Sequence, residues 1–302
     1  MKWPAALAVA VLLAFGACGG GNDSSDARTA SDSPPLRIGT KNFTEQFILG
    51  ELYGQALEAK GFRVVLKRNV GSTEIIHQAL LNGALDMYPE YVGVLLSEVA
   101  NRRTRPGSPR AAYRAAEAFE ARNGFRLLAP TPFSDSNALA VKPSYARRYG
   151  VRTIADLRHV PGTVRIGAPP EFRTRFEGLI GLAQRYDIHN AQAIPLAIGA
   201  QYAALDDGRV DAAAVFTTDG QLADRRYVLL KDPRGVFGTQ HVAPIISRRA
   251  LRARGPRLAA TIDAVSRKLT ARAMRRMNAA VDLDGRRPRD VAAEFLRREK
   301  LR

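Results

Sequence analysis

The feature that most constrains the fold is an alternation of short apolar runs with helical patterns, and it occurs twice along the chain. In the first half, helical patterns at 41–61 and 72–83 separate apolar runs at 36–40, 62–70 and 84–89. In the second half, helical patterns at 176–187 and 200–208 separate runs at 163–169, 192–198 and 209–216. Strands that alternate with helices are typical of a parallel α/β sheet. The sequence therefore predicts two α/β lobes, followed by a mainly helical stretch from about 256 to 296.

One short pattern recurs in both halves and indicates where a ligand would bind. "LLNGALDMYPEY" and "LDDGRVDAAAVF" share a Leu, a Gly, an aliphatic residue and an Asp at the same spacing, and they continue to Tyr91 and Phe216. The pattern predicts a helix end, a glycine with positive φ and the start of a strand. Each aromatic residue then lies near the carboxyl end of its strand, where open α/β sheets bind ligands. Two lobes whose strand ends face one another would bring both rings to a shared cleft.

The first helix has a capping pattern at its start. Asn42 is followed three residues later by Glu45, which is the spacing of a capping box. We therefore predict that these two side chains bond to the backbone of the first turn.

The first residues have the pattern of an export signal. Lys2 precedes an almost wholly apolar run, 4–15, that is short for a membrane span, and small residues lead to Cys18. The arrangement resembles a bacterial lipoprotein signal, which implies a signal peptide at 1–17, cleavage before Cys18 and a lipid on its sulfur. Residues 18–35, rich in Gly, Ser and Asp, then form a flexible tether. The alternative is an ordinary secretory signal with an incidental cysteine.

These features predict an exported protein, either lipid-anchored at the outer face of the cytoplasmic membrane or periplasmic. Cys18 is the only cysteine, so neither a disulfide nor a catalytic thiol is expected. The net charge of +17 is mostly arginine and is spread along the chain. An exported protein does not normally meet nucleic acid, so we interpret this charge as a solvated surface and predict no nucleic-acid partner.

Enzyme signatures are missing from the sequence. It contains no nucleophile elbow, zinc-protease helix motif, phosphate loop or dinucleotide fingerprint. The four histidines, His77, His159, His189 and His241, have no metal-ligand spacing. We therefore predict no catalytic residue, no metal site and no cofactor.

Several ordered motifs carry a family resemblance that covers residues 36 to about 296. They are "KNFTEQ", "GALDMYPEYVG", "VDAAAVFTTDGQL", "VLLKDPRGVF" and "RPRDVAAEFL". The chain resembles the substrate-binding proteins of osmoprotectant ABC importers, which bind glycine betaine, choline, carnitine and related quaternary amines. The resemblance implies a two-lobed, type II-like Venus flytrap with a ligand cleft between the lobes and an ABC permease as partner. Mapped onto this chain, lobe one is 36–138 plus 241–302, and lobe two is 139–240.

The resemblance also implies an aromatic cage. A trimethylammonium group has no N–H to donate, and its charge is spread over methyl groups, so ring faces suit it. By position the cage residues are Tyr91, Tyr202 and Phe216. Relatives place a further tyrosine where this chain has Asn137, so either the cage is more open or another ring, such as Phe133 or Phe172, completes it.

The polar end of the ligand needs donors if it is a carboxylate. Gln46 matches a family position near the ligand, and further candidates are Lys41, Asn42, Thr44, Arg173 and Arg175. Glu90 either attracts a cation or caps the following helix. Val92-Gly93-Val94 replaces a Thr-Gly-Thr of relatives, which removes a hydroxyl. An alternative therefore stays open, in which the same fold binds a different small amine or an amino acid.

Overall fold

The computed structural model describes residues 34–102, 106–222 and 226–302. Within these ranges the strands are β1 (Leu36–Lys41), β2 (Val64–Gly71), β3 (Met87–Tyr91), β4 (Phe125–Leu127), β5 (Asn137–Val141), β6 (Val164–Ala168), β7 (Ala191–Pro195), β8 (Ala212–Phe216), β9 (Val228–Leu229) and β10 (Val242–Ser247). The α-helices are α1 (Thr44–Glu58), α2 (Thr73–Leu81), α3 (Val92–Val94), α4 (Pro109–Arg122), α5 (Pro143–Tyr149), α6 (Gly181–Tyr186), α7 (Ala200–Asp206), α8 (Arg248–Arg254), α9 (Pro256–Lys268), α10 (Ala271–Asp282) and α11 (Pro288–Arg298). The predicted signal peptide, Cys18 and most of the tether lie outside the described residues.

The strands form two five-stranded sheets with the same topology. The first has the order β2-β1-β3-β10-β4 and the second β7-β6-β8-β5-β9. In each sheet the first three strands are parallel, and the last two run antiparallel to their neighbours. This mixed α/β arrangement confirms the predicted fold class. We call the sheets with their packed helices the first lobe and the second lobe.

The chain passes between the two sheets twice. Residues 128–136 join β4 to β5, and residues 230–241 join β9 to β10. Strand β5 already begins at Asn137, which pairs with Phe216 in the second sheet. The division at 138/139 and 240/241 stays a prediction.

The repeated Leu-Gly-Asp pattern corresponds to a repeated turn. Gly83 follows α2 with φ of 70°, and Gly208 follows α7 with φ of 69°. These left-handed conformations are costly for residues with a Cβ. Each glycine therefore ends its helix and turns the chain into the middle strand of its five-stranded sheet, which is β3 in the first lobe and β8 in the second.

The aspartate of each repeat binds an arginine on the neighbouring strand. Asp86 accepts from the backbone N–H of Arg37 at 3.0 Å and from its guanidinium at 2.9 Å. Asp211 accepts from the backbone N–H of Arg165 at 2.9 Å and from its guanidinium at 2.9 Å. The two lobes thus anchor β3 to β1 and β8 to β6 by the same bonds.

The C-terminal helices complete the core of the first lobe. Helices α9, α10 and α11 pack against α1. They confirm the mainly helical stretch that the sequence predicts from about 256 to 296. Leu52, Ile262 and Phe295 are among the side chains buried there. Burial of each such side chain contributes about 1.5–3 kcal/mol. None of the helices in the described ranges is both long and apolar enough to cross a membrane.

Two local predictions are wrong. Helix α1 has Phe43 as its N-cap residue, and a phenylalanine side chain has no atom that could accept a cap bond. Glu45 is instead buried in side-chain contacts. The predicted helix 176–187 is interrupted at Glu177 and Gly178, which have non-helical backbone angles. A Cβ on Gly178 would lie 2.0 Å from the carbonyl oxygen of Phe172, so this glycine permits a close backbone approach.

Candidate functional site

A cleft lies where the carboxyl ends of the parallel strands of the two lobes face one another. Lys41 ends β1 and Tyr91 ends β3, while Pro169 follows β6 and Phe216 ends β8, and all four line the cleft. Ligands of open α/β sheets bind outside these strand ends. The structure therefore brings Tyr91 and Phe216 to one site, as the repeated pattern predicted.

A row of aromatic rings crosses this cleft from one lobe to the other. The ring of Phe43 lies 6.0 Å from that of Tyr91, centroid to centroid, with 27° between their planes. The ring of Phe43 also lies 5.2 Å from that of Phe216, centroid to centroid, with 22° between their planes. Phe172 also lines the cleft and is 5% exposed. The row presents ring surface from both lobes to the same space.

Phe43 was missed by the sequence reasoning, although a signal for it exists. Strands β1 and β6 both contain Arg-Ile-Gly, at 37–39 and 165–167. The first phenylalanine after each strand is Phe43 in one lobe and Phe172 in the other, and both line the cleft. Phe133, the other ring considered for the cage, is 1% exposed in the core of the first lobe and is not among the cleft residues.

The hydroxyl of Tyr91 is held beneath the cleft by Glu45. It donates to Oε1 of Glu45 at 2.8 Å, while Thr218 of the second lobe donates to Oε2 at 2.6 Å and Asn278 donates to Oε2 at 3.1 Å. Burial raises the pKa of Tyr91 well above its ordinary value. The phenol therefore stays neutral, and its ring has a fixed orientation.

Lys41 is buried against the same ring. Its Nζ donates to Oγ1 of Thr73 at 2.6 Å and to the carboxylate of Glu90, and it lies 4.8 Å from the ring centroid of Tyr91. Burial lowers the pKa of Lys41, and the neighbouring Glu90 opposes this effect. The ammonium is therefore part of the wall of the site.

Glu90 is the counter-ion of Lys41. It is fully buried and accepts from the backbone N–H of Tyr91 at 2.5 Å and from the hydroxyl of Tyr88 at 3.1 Å. Helix α3 has Tyr91 as its N-cap residue, with no side-chain cap bond. The carboxylate of Glu90 therefore bonds to the backbone at the N-cap residue of α3 and pairs with Lys41 as well.

Asn137 takes part in a polar contact at the second-lobe side of the cleft. Its Nδ2 donates to Oε2 of Glu177 at 2.6 Å, and Gln240 donates to Oε1 of the same carboxylate at 2.8 Å. Gln240 in turn accepts from the backbone N–H of Val94 at 3.0 Å. A Cβ on Gly93 would lie 2.6 Å from the amide of Gln240, which explains the glycine between the two valines.

Gln46 lies outside the cleft lining. It is fully buried, its Oε1 accepts from the backbone N–H of Lys41 at 3.2 Å, and its Nε2 donates to the carbonyl of Pro89 at 3.1 Å. These bonds connect β1 to β3. Gln46 therefore supports the strands that carry the site.

Two further candidates, Thr44 and Tyr202, line an adjoining cavity behind Phe43 and Phe216. Thr44 donates to Asp282 at 2.6 Å, and the hydroxyl of Tyr202 donates to Asp219 at 2.6 Å. Burial raises the pKa of Asp219 to about 7. Asn42 lines both cavities.

Of the two arginines considered, the structure places Arg175 in the cleft. Arg173 is exposed and is not among the cleft residues. The guanidinium of Arg175 donates to both carboxylate oxygens of Glu74, at 2.9 and 2.8 Å. This contact joins the lobes, since Glu74 belongs to α2 and Arg175 follows β6.

Comparison with known proteins identifies one family. The model of the substrate-binding domain of the ABC-type glycine betaine transport system matches residues 34–298. A glycine-betaine-binding protein of Pseudomonas aeruginosa is 33% identical over 277 residues, which is 88% of each chain. The carnitine transport binding protein OpuCC of Listeria monocytogenes is 27% identical over 271 residues, covering 89% of this chain and 88% of the relative.

Solved structures agree in fold. A glycine betaine/carnitine/choline ABC transporter structure superposes with a TM-score of 0.71 at 25% identity, covering 88% of this chain and 99% of that one. These matches extend over both lobes. They confirm the family resemblance found in the sequence motifs and the expectation of a binding protein rather than an enzyme.

Proposed function

Because this chain belongs to the family of substrate-binding domains of ABC-type glycine betaine transport systems, we propose that it binds a quaternary ammonium compound between its lobes. It delivers this compound to an ABC permease. Phe43, Tyr91, Phe172 and Phe216 surround the methylated nitrogen. The names of its relatives support this ligand class, since they bind glycine betaine and carnitine.

The observation that carries the proposal is the row of rings across the cleft. Phe43 stacks on Tyr91 of one lobe and on Phe216 of the other. A trimethylammonium group gains both apolar contact and attraction to the ring quadrupoles, at about 0.5–2 kcal/mol for each ring. Several rings together are sufficient for micromolar affinity.

Contacts between the lobes support delivery by lobe closure. Thr218 of the second lobe binds Glu45, which also holds Tyr91, so one of the bonds between the lobes reaches a ring of the site. A ligand between the rings would favour the closed state, which a permease can recognise. We extend the proposal to an exported protein tethered through lipid on Cys18.

The direct test is calorimetric titration of the purified chain with choline and with its neutral carbon analogue, in which a tert-butyl group replaces the trimethylammonium group. The two have nearly the same shape, so their difference isolates the positive charge. We expect choline to bind at least about tenfold more tightly. Equal affinities would contradict a cation–π site, and binding of amino acids with no binding of any quaternary amine would establish the alternative ligand class.

Variants of the rings extend this test. Phe43→Leu and Phe216→Leu keep apolar volume but remove the ring face, so each should weaken choline binding by about five- to tenfold. Phe119→Leu is the matched control, because Phe119 lies on α4, packs against an apolar cluster of the first lobe and is not among the cleft residues. Unchanged choline affinity in both cleft variants would contradict the proposed roles of the rings.

A further inference from the structure

The cleft contains few cationic groups that a carboxylate could bind. Among the described residues that line it, the cationic side chains are Lys41 and Arg175. A ligand carboxylate, as in glycine betaine, is held best by charge-assisted hydrogen bonds from such groups. The partners of these two side chains therefore bear on which quaternary amines the cleft accepts.

Lys41 is already committed to the protein. A lysine ammonium has three donors. Nζ donates to Glu90 and Thr73, and it faces the ring of Tyr91 at 4.8 Å from the centroid. The side chain of Lys41 is 5% exposed and that of Glu90 is 0% exposed. A ligand carboxylate would have to compete with a buried counter-ion.

Arg175 is surrounded by carboxylates. Nη2 donates to Oε1 and Oε2 of Glu74 at 2.9 and 2.8 Å, and Nε donates to Oε1 at 3.2 Å. Glu98 and Glu171 each place a carboxylate oxygen 3.9 Å from the guanidinium. The side chain of Arg175 is 18% exposed and that of Glu74 is 46% exposed, so the pair lies at the mouth of the cleft.

The rest of the lining adds negative charge. Glu98, Asp135, Glu171 and Glu177 all line the cleft. Burial raises the pKa of Asp135 well above its ordinary value, so this group stays neutral. The carboxylates of Glu98 and Glu171 lie 3.9 Å from the guanidinium, so the lining around Arg175 favours a cation over a ligand carboxylate.

We propose that the Glu74–Arg175 pair makes this cleft select quaternary amines without a carboxylate, such as choline, over those that carry one, such as glycine betaine. The inference rests on the proposed function, because it concerns the same cleft. It differs from what the names of the two sequence relatives suggest, since glycine betaine and carnitine both contain a carboxylate. Glu74 acts by occupying the guanidinium that would otherwise bind the ligand carboxylate.

Choline and glycine betaine share the trimethylammonium group and differ in a hydroxyl against a carboxylate, so titrating both isolates this preference. For the unmodified chain we expect choline to bind at least about tenfold more tightly. Glu74→Gln removes the charge that occupies Arg175, so glycine betaine should gain about tenfold while choline changes by less than about threefold. Glu294→Gln is the matched control, because it breaks an exposed ion pair with Arg286 at 2.7 Å on α11 and leaves the cleft intact.

The outcomes separate the two proposals. If the unmodified chain binds glycine betaine as tightly as choline, the selectivity is overturned and the quaternary-amine site stands. If choline is preferred but Glu74→Gln leaves the ratio unchanged, the role of the Glu74–Arg175 pair is overturned. If the folded chain binds neither compound, the proposed function itself fails.

Discussion

The two lobes share one scaffold but differ in what their strands bury next to the cleft. Arg37 and Asp86 of the first lobe are equivalent to Arg165 and Asp211 of the second, so residues at the same distance along the chain from them can be compared. The first lobe has Lys41, Tyr88 and Glu90 where the second has Pro169, Ala213 and Val215. The first lobe thus buries a hydrogen-bonded ion pair, and the second lobe fills the same positions with apolar side chains.

Rings follow the same two motifs in both lobes. Tyr91 and Phe216 each follow the repeat aspartate by five residues, and Phe43 and Phe172 each follow Arg-Ile-Gly. All four line the cleft. The comparison teaches that both lobes present rings to the cleft, while the buried Lys41–Glu90 ion pair belongs to the first lobe alone.

The largest effect on stability should come from breaking the buried ion pair between Lys41 and Glu90. Glu90→Gln leaves the buried ammonium of Lys41 without its counter-ion, which typically costs about 3–5 kcal/mol. The double variant Lys41→Met with Glu90→Gln removes the charge as well, and so moves this wall toward the apolar second lobe. We expect it to recover at least half of the loss in the free energy of unfolding, measured by urea titration.

Glu294→Gln serves as the control for this pair, since an exposed ion pair contributes at most about 1 kcal/mol. A double variant as unstable as Glu90→Gln alone would contradict the interpretation that an unpaired buried charge causes the loss.

A second, smaller effect concerns pH and sharpens the contrast between the walls. The first lobe also buries Glu120. Nδ1 of His77 lies 3.0 Å from the hydroxyl of Tyr88, and Nε2 of the same ring lies 3.9 Å from Oε1 of Glu120. Burial, and secondarily the charge of Glu90, raises the pKa of Glu120 from 4.5 to about 8. The folded state therefore binds a proton that the unfolded state releases between these values, so the free energy of unfolding should fall as pH rises through this window.

Glu120→Gln removes this proton linkage. Between about pH 5 and pH 9 we expect the unmodified chain to lose on the order of 2 kcal/mol more than the variant, measured by urea titration at each pH. Identical pH profiles would show that Glu120 titrates normally in the folded protein.

The smallest difference should separate the two equivalent arginine–aspartate contacts. The side chain of Asp86 is 5% exposed and that of Asp211 is 20% exposed. Asp86→Asn should cost about 1–3 kcal/mol and Asp211→Asn about 1 kcal/mol or less. Thermal unfolding of the two variants checks this order, and a larger loss for Asp211→Asn would contradict it.

The same contacts predict an acid limit. Burial opposes ionisation, but the bonds from Arg37 hold the pKa of Asp86 below 3.8, and Arg165 does the same for Asp211. Their contribution is therefore complete above about pH 4 and is lost as pH falls below it. In either Asn variant this part of the acid-induced loss should be missing.

Much of the fold was predictable because it follows from local patterns. The alternation of apolar runs and helical stretches placed the three parallel strands of each sheet, and the Leu-Gly-Asp repeat located Tyr91 and Phe216 at strand ends. The antiparallel strands β4, β5, β9 and β10 were not predicted. These features depend on hydrophobic periodicity and on glycine turns, which are encoded within a few residues.

The side-chain directions at the strand–helix junctions were not predictable in the same way. The motif "KNFTEQ" was recognised, yet Asn42 and Thr44 were chosen in place of Phe43 between them. Glu45 was assigned to a cap, but it meets Tyr91, Thr218 and Asn278 from distant segments. Contacts of this kind are set by tertiary packing and override local capping preferences.

The most direct test of the central claim is a crystal structure of the full chain with choline. The account predicts the methylated nitrogen within about 6 Å of the ring centroids of Phe43, Tyr91 and Phe216, the range of cation–π contacts. Choline bound elsewhere, or held in the cleft with its nitrogen away from these rings, would contradict it.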